Sequence, residues 1–206
     1  MTRIKICGIT NKLDAINAGQ LNVDMLGFVF YKKSKRYVEP RIVRDIANEL
    51  PPFIAKVGVF VDEKKEKVLE IAEDASLDIL QFHGEEECEY CESFKDRFKV
   101  IKAFRLNDKA SLKKVNDYNV DYYLFDTFRT DSMGGTGEIF DWKILEGFEF
   151  LKPVILSGGL NAGNVAKAIK QFAPYGVDVS TGVEESPGKK DINLMKKFIE
   201  NVRKAE

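Results

Sequence analysis

The sequence RIKICGIT at residues 3–10 has the pattern of a short buried strand that ends at a reactive side chain. Its β-branched residues favour a strand, and the polar residues that follow are typical of a helix N-cap. In a strand, Ile4 and Ile6 lie on one face, and Lys5 and Cys7 lie on the other. A thiol therefore stands at the carboxyl end of the first strand. In a parallel barrel, that end carries the active site.

The same unit, an apolar run followed by an amphipathic segment, recurs eight times along the chain. Units of about 26 residues predict a single-domain (β/α)₈ TIM barrel over residues 1–206, whereas a flavodoxin-like sheet needs fewer strands. The predicted strands after the first are 25–30, 54–61, 79–84, 99–106, 122–126, 154–156 and 176–180. The predicted helices are 11–20, 40–50, 64–75, 85–97, 108–115, a short one opening at Phe140, one capped by Asn161, and 191–205.

Composition narrows the class of protein. The 206 residues carry a formal net charge of −1 and include three cysteines. A near-neutral chain has no global field to attract nucleic acid or an anionic membrane, and no apolar run has the length of a membrane helix. An odd number of cysteines favours a reducing compartment. We therefore expect a soluble, cytoplasmic protein; its sequence is compatible with a homodimer but does not specify one.

Polar residues recur where the predicted strands end. The loops after the seventh and eighth strands are rich in glycine, which lets the backbone approach an anion, and both lead toward helix starts. Barrels commonly bind phosphate at these two loops. The expected phosphate-binding residues are Gly158, Gly159, Ser180, Thr181 and Gly182. The alternative is that these glycines form ordinary tight connections.

Two strand-end residues are suited to proton transfer. Cys7 is either an inert small hydrophobe or, with Lys5 beside it favouring the thiolate, a nucleophile or a base. Asp126 ends an apolar strand, where partial burial favours a protonated carboxyl and a general acid. The simpler interpretation of Asp126 is a cap for the following loop.

Other candidates are less specific. Arg36 lies in a basic loop, and an arginine aimed at the barrel mouth clamps a carboxylate with two hydrogen bonds. His83, the only histidine, is a candidate base, metal ligand or hydrogen-bond donor; without a second histidine we expect no zinc site. Cys88 and Cys91 form a CxxC motif inside an acidic helix, where glutamates disfavour thiolates, and we expect no function there.

Several short motifs recur along the whole chain. They are KICGIT at 5–10, GFVFY at 27–31, SKRY at 34–37, VGVF at 57–60, QFHG at 81–84, DT at 126–127, GGTG at 134–137, FDW at 140–142, LSGGLN at 156–161, DVSTGVE at 178–184 and PGKKD at 187–191. Together they resemble the motifs of one family, the phosphoribosylanthranilate isomerases. The resemblance runs from end to end and is highly specific. Phe82 and Thr181 depart from the family's usual leucine and serine.

The resemblance implies a cofactor-free Amadori rearrangement in tryptophan biosynthesis, in which N-(5-phosphoribosyl)anthranilate becomes 1-(2-carboxyphenylamino)-1-deoxyribulose 5-phosphate. It implies that Cys7 is the general base and Asp126 the general acid. Arg36 is then the clamp for the anthranilate carboxylate, and His83 and Asp178 are further candidates for substrate contact. The glycines of residues 127–137 are typical of a mobile lid.

Three alternatives stay open on the sequence. A histidine-pathway isomerase performs the same chemistry, but we would expect an aspartate in place of Cys7. An indole-glycerol-phosphate synthase or an aldolase-like barrel needs a catalytic lysine, for which Lys5 and Lys102 are candidates. A non-catalytic phosphate-binding barrel would tolerate loss of Cys7 or Asp126.

Overall fold

The strands alternate with helices and close into a barrel. The structure, a computed structural model, describes residues 1–106, 112–127, 142–145 and 147–206. Residues 128–137 of the predicted lid loop, 108–111 of the predicted helix at 108–115, and the predicted helix start at Phe140 lie outside these residues. The described half of the first helix, 112–115, forms turns and the start of a 3₁₀ helix, so that helix prediction is wrong there. Strands β1 to β8 pair in sequence order, all parallel, and β8 returns to β1. They are Arg3–Cys7, Met25–Val29, Ala55–Phe60, Ile79–Phe82, Lys99–Leu106, Tyr122–Thr127, Val154–Leu156 and Gly176–Val179. The predicted TIM barrel is confirmed.

Alternation along each strand separates two apolar layers. Inside the barrel, one cluster contains residues such as Met25, Ile101 and Leu124. The opposite faces, including Ile4 and Ile6, pack against the helices in a larger cluster. Lys5 pairs in register with Met25 and Asp178, so the predicted inward direction of Lys5 and Cys7 is confirmed.

Lys102 faces away from the barrel interior. Its neighbours Ile101 and Ala103 belong to the inner cluster, so the strand alternation turns Lys102 toward the helices. There it is buried and pairs with Glu86 at 2.7 Å. Lys102 is therefore wrong as one of the two candidates for the catalytic lysine of a synthase or aldolase-like barrel, because it is held in the outer layer.

Helices and short turns connect the strands on the outside. Helices α1 to α6 are Lys12–Gln20, Pro40–Ala47, Lys65–Asp74, Cys88–Glu92, Val165–Phe172 and Ile192–Ala205. Short 3₁₀ turns cover Val115–Asp117, Trp142–Leu145 and Thr181–Val183, and strands β9 (Glu184–Ser186) and β10 (Lys189–Lys190) form an antiparallel hairpin after β8. No helix among the described residues is both long and apolar enough to span a membrane.

Two helix predictions are wrong in their limits. The helix expected over 85–97 is confined to α4 and is followed by turns. Before it, the Glu86 carboxylate accepts hydrogen bonds from the backbone N–H groups of Asp62 and Gly84 and holds the preceding loop. Asn161 does not occupy the N-cap of α5, which is Asn164. The Asn161 side chain instead accepts a hydrogen bond from Gly163 N–H and shapes the turn before the helix.

Candidate active site

The carboxyl ends of the strands bring the predicted residues to one end of the barrel. Cys7 ends β1, and Asp126 is the penultimate residue of β6. Because the barrel order is β6, β7, β8, β1, the loops that begin at Ser157 and Ser180 lie between these two residues. The proposed acid and base thus flank the two loops expected to bind phosphate.

Cys7 occupies a site that two glycines make possible. A Cβ on Gly27, its partner in β2, would lie 2.7 Å from Cys7 Sγ. Gly8 has a φ of +79°, and a Cβ there would lie 2.6 Å from Arg36 Cδ and 3.1 Å from Ser180 Oγ. The backbone after β1 therefore turns in a conformation that favours glycine, and Arg36 and Ser180 approach it closely.

Below Cys7, a buried ion pair fills the barrel interior. Lys5 Nζ donates to Asp178 Oδ1 at 3.0 Å, and the Ser157 hydroxyl donates to Asp178 Oδ2 at 3.2 Å. Both carboxylate oxygens of Asp178 therefore have protein partners. Contact between Asp178 and substrate stays a prediction, whereas its contacts with Lys5 and Ser157 join β8 to β1 and β7.

Burial sets the protonation of the Cys7 thiol. Burial raises its pKa most, Lys5 and Lys190 lower it by their positive charge, and the Asp178 carboxylate raises it. The net direction is upward. The lowering by Lys5 that we expected from the sequence is present, and burial of the sulfur outweighs it in the net direction. Proton abstraction by a Cys7 thiolate stays a prediction.

Arg36 is anchored by a carboxylate after β8. Its Nε and Nη2 donate to the two oxygens of Glu184 at 2.8 and 2.6 Å. Lys190 Nζ, fully buried, donates to Glu184 Oε1 at 2.8 Å and to the Ser180 carbonyl at 3.3 Å. Neighbouring lysines such as Lys32 and Lys35 are exposed. Arg36 is therefore the residue of this basic loop that points into the site, as a clamp for the substrate carboxylate would need.

Arg36 and Lys190 share the single carboxylate of Glu184, so the net charge of these three side chains is positive. Burial opposes the charged form of Glu184, but hydrogen bonds from Arg36 and Lys190 hold the Glu184 pKa below its usual value. Burial lowers the pKa of Lys190, and the hydrogen bond to Glu184 raises the pKa of Arg36. Within the described residues, Nη1 of Arg36 has no hydrogen-bond partner, so one edge of the guanidinium remains for an anion.

His83 connects β4 to Asp126. Its Nε2 lies 3.1 Å from Asp126 Oδ2, and its Nδ1 lies 3.0 Å from the side-chain nitrogen of Gln81. The Asp126 side chain is 30 % exposed, so it is less buried than its position at the end of an apolar strand suggested. The arrangement leaves the carboxyl accessible from the barrel mouth while one of its oxygens contacts the imidazole.

The loops after β7 and β8 touch each other. Gly158 and Gly159 have φ values of +77° and +68°, and within the described residues their N–H groups have no protein acceptor. A Cβ on Gly182 would lie 2.0 Å from the carbonyl oxygen of Leu160. Successive free N–H groups in a left-handed turn form a concave anion site. This geometry favours glycine at all three positions. It fits both a phosphate site and ordinary tight connections, so phosphate binding stays a prediction.

Metal and redox chemistry have little support in the described part of the chain. No group of three His, Cys, Asp or Glu residues there is arranged to hold a metal ion. Cys88 and Cys91 are free cysteines. Burial raises the pKa of both thiols, that of Cys91 to about 12, and the charge of Glu89 contributes at Cys88. This agrees with the expectation that the CxxC disfavours thiolates.

Sequence reasoning assigned no role to Glu184, Lys190 or Gln81, which all contact predicted site residues. Glu184 and Lys190 are opposite charges that flank a Pro-Gly turn and meet across the β9–β10 hairpin. Opposite charges on either side of a Pro-Gly turn were the sequence signal that could have identified this pair. Gln81 is a polar residue inside a buried strand and two residues before His83, a pattern that places both side chains on one face.

Residues 4–201 match the family described as N-(5'-phosphoribosyl)anthranilate (PRA) isomerase. The chain belongs to this family. The isomerase of Caldanaerobacter subterraneus subsp. tengcongensis is 51% identical over 203 residues, which is 98% of both chains. The family match extends from β1 to α6 of this chain.

Solved PRA isomerases have the same fold. One, in complex with reduced 1-(o-carboxyphenylamino)-1-deoxyribulose 5-phosphate, superposes with a TM-score of 0.86 at 41% identity and covers 99% of this chain and 100% of its own. Another is a crystal structure of monomers generated from the dimeric isomerase of Thermotoga maritima, with a TM-score of 0.87, 41% identity and the same coverage.

Proposed function

We propose that this chain isomerises N-(5'-phosphoribosyl)anthranilate to 1-(2-carboxyphenylamino)-1-deoxyribulose 5-phosphate in tryptophan biosynthesis. The family match over residues 4–201 is the observation that carries this assignment. A solved relative binds a reduced form of that product. The reaction moves hydrogen within one sugar and requires only an acid and a base.

Asp126 acts as the general acid and Cys7 as the general base. Asp126 donates a proton to the ribose ring oxygen as the C1–O bond breaks, and the nitrogen lone pair forms the Schiff base. Cys7, as thiolate, then removes the proton from C2 to give an enolamine. The enolamine then tautomerises to the ketone, as C1 gains a proton and the C2 hydroxyl loses one. Support comes from the position of both groups at the same barrel end, on either side of the β7 and β8 loops.

The two loops hold the phosphate, and Arg36 holds the anthranilate carboxylate. The free N–H groups of Gly158 and Gly159, with Ser180, Thr181 and Gly182 opposite, suit a phosphate group. Glu184 fixes two nitrogens of Arg36 and so orients its remaining edge. Binding the sugar at one end and the aromatic ring at the other holds C1 and C2 between acid and base.

The test is loss of substrate fluorescence, with phosphoribosylanthranilate generated in the assay. We expect turnover by the wild type and losses of about 100-fold or more for Cys7→Ser and Asp126→Asn with the fold retained. Cys88→Ser and Asp45→Asn, which change the same residue types outside the site, serve as matched controls. Wild-type binding of inorganic phosphate without turnover would favour the non-catalytic barrel, and full activity of Cys7→Ser would remove Cys7 as the base.

The chain functions as a cytoplasmic homodimer. Its free cysteines suit a reducing compartment, and the Thermotoga maritima relative is dimeric. At the amino ends of the strands, opposite the active site, Phe53 is 76 % exposed beside a cavity of about 190 Å³ lined by Met25, Ile79, Tyr122 and Ile155. Light scattering should give a dimer mass that Phe53→Glu lowers and the exposed α1 control Leu13→Glu leaves unchanged; a wild-type monomer would contradict this state.

A further inference from the structure

Three side chains form a continuous chain from the barrel interior to the proposed acid. Gln81 and His83 lie two residues apart, so both face inward from the end of β4. The side-chain nitrogen of Gln81 lies 3.0 Å from His83 Nδ1, and His83 Nε2 lies 3.1 Å from Asp126 Oδ2. We propose that Gln81 is a positioning residue that fixes His83 in its Nε2–H tautomer, so that His83 holds one oxygen of Asp126 and leaves the other for substrate.

The direction of the hydrogen bonds follows from the amide group. An amide nitrogen donates only, so Nδ1 of His83 must accept. A neutral imidazole that accepts at Nδ1 carries its hydrogen on Nε2. Nε2–H therefore donates to Asp126 Oδ2. Among the described residues, Asp126 Oδ1 has no protein partner and is the oxygen from which a proton can reach the ribose ring.

This polarity suits the reaction step. When Asp126 gives up its proton, a carboxylate forms, and a donor already directed at Oδ2 stabilises that charge without rearrangement. The opposite tautomer would present a lone pair to Oδ2. It would compete for the acid's proton and would repel the carboxylate formed after transfer.

The burial of Gln81 argues against a purely structural role. Gln81 is only 1 % exposed, and its amide oxygen is buried without a hydrogen-bond partner among the described residues. Its neighbours on this face, Ile79 and Ile101, are apolar. A buried acceptor without a partner destabilises the folded state, so an apolar side chain would suit packing better. The glutamine is explained by the hydrogen bond that its nitrogen donates to His83.

The first test does not depend on turnover. His83 is the chain's only histidine, so ¹⁵N labelling of histidine gives one pair of ring-nitrogen resonances that report the tautomer directly. We expect Nε2–H in the wild type and a mixture of tautomers in Gln81→Met. In Gln81→Glu, a carboxylate accepts from Nδ1–H and reverses the preference. Nδ1–H as the main wild-type form would overturn the proposal even if no variant folds.

The second test is kinetic, and this part of the inference rests on the proposed role of Asp126. We expect Gln81→Met to lower kcat by about 10- to 100-fold, with KM changed less than about twofold and the melting temperature equal or higher. Ile101→Met, at the position on β5 that pairs with Gln81 on the same face, is the control and should keep kcat.

A double variant separates the two proposals. If Gln81 acts through His83 on Asp126, Gln81→Met should cause no further loss in an Asp126→Asn background. A full additional loss would overturn the proposal. If Asp126→Asn alone keeps wild-type kcat, the assignment of the acid fails instead, while the tautomer measurement still decides what Gln81 does to His83.

Discussion

The sulfur of Cys7 packs against the backbone of Gly27, its partner across β1 and β2. A Cβ at position 27 would lie 2.7 Å from Sγ and 3.1 Å from Cys7 Cα, so Gly27→Ala must displace the thiol or separate the strands. Displacing Cys7 Sγ moves the proposed base out of its position for proton transfer, so we expect kcat to fall at least about tenfold. We expect the free energy of unfolding to fall by about 1–3 kcal/mol. Steady-state kinetics and thermal unfolding measure both effects.

Gly19→Ala is the matched control for this change. Its added methyl would meet the flexible end of Ile54 at 3.2 Å in the outer layer, and alanine is favoured over glycine in a helix. Activity should be unchanged. Equal losses in Gly19→Ala and Gly27→Ala would show that the effect at position 27 is a general packing defect.

Glu184→Gln should weaken substrate binding more than catalysis. Glutamine has one acceptor oxygen where Glu184 uses two, so Arg36 loses one of the hydrogen bonds that orient its free edge. We expect KM to rise about tenfold, which corresponds to one hydrogen bond between charged groups, with a smaller change in kcat. Glu185→Gln removes an exposed pair with Lys189 and should leave KM unchanged. A fall in kcat without a change in KM would contradict the anchoring role.

Two substitutions should shift the titration of Cys7 in opposite directions. Lys190 lowers the pKa of Cys7 and Asp178 raises it. Lys190→Gln should therefore move the alkaline-rising limb of kcat/KM to higher pH, and Asp178→Asn should move it to lower pH. The ultraviolet absorbance of the thiolate, taken as the difference from Cys7→Ser, measures the same shifts without turnover. Shifts of the same sign in both variants would contradict the assignment of this limb to Cys7.

Removing the buried cation Lys102 should destabilise the barrel. Lys102 donates to Glu86 and to the Gly84 carbonyl, both at 2.7 Å, and both ionic side chains are 3 % exposed. Lys102→Met leaves the Glu86 charge buried without its partner, which costs about 3–5 kcal/mol. Denaturant unfolding measures the loss. Lys99→Met, which breaks an exposed pair with Asp121, should change stability little, and equal effects at both positions would contradict the prediction.

Sequence periodicity predicted the order of strands because each strand's burial pattern is local. The alternation of Lys5 and Cys7 with Ile4 and Ile6 placed the thiol correctly. Lys102 was kept as a candidate, although its alternation with Ile101 and Ala103 turns it to the outer layer. The contraction of the predicted helix at 85–97 to α4 was not predictable in this way. At its amino end, the Glu86 carboxylate accepts a hydrogen bond from the backbone N–H of Asp62, a partner more than twenty residues away that a local pattern does not show.

Partners distant in sequence also explain what was missed in the site. Arg36 and Glu184 are separated by 148 residues, and only the closed barrel brings them together. The protonation of Cys7 depends on how deeply its sulfur is buried, which is a property of the packed structure. The position of Lys5 predicted that its charge lowers the pKa of Cys7, whereas burial gives the net upward direction.

The burial of Cys7 has a further consequence for durability. Peroxides oxidise thiolates far faster than thiols, and a sulfenic acid at this position could no longer accept the C2 proton. Burial raises the pKa of Cys7, and a higher pKa favours the thiol over the more readily oxidised thiolate. A base made from cysteine can therefore persist at the open end of a barrel between turnovers.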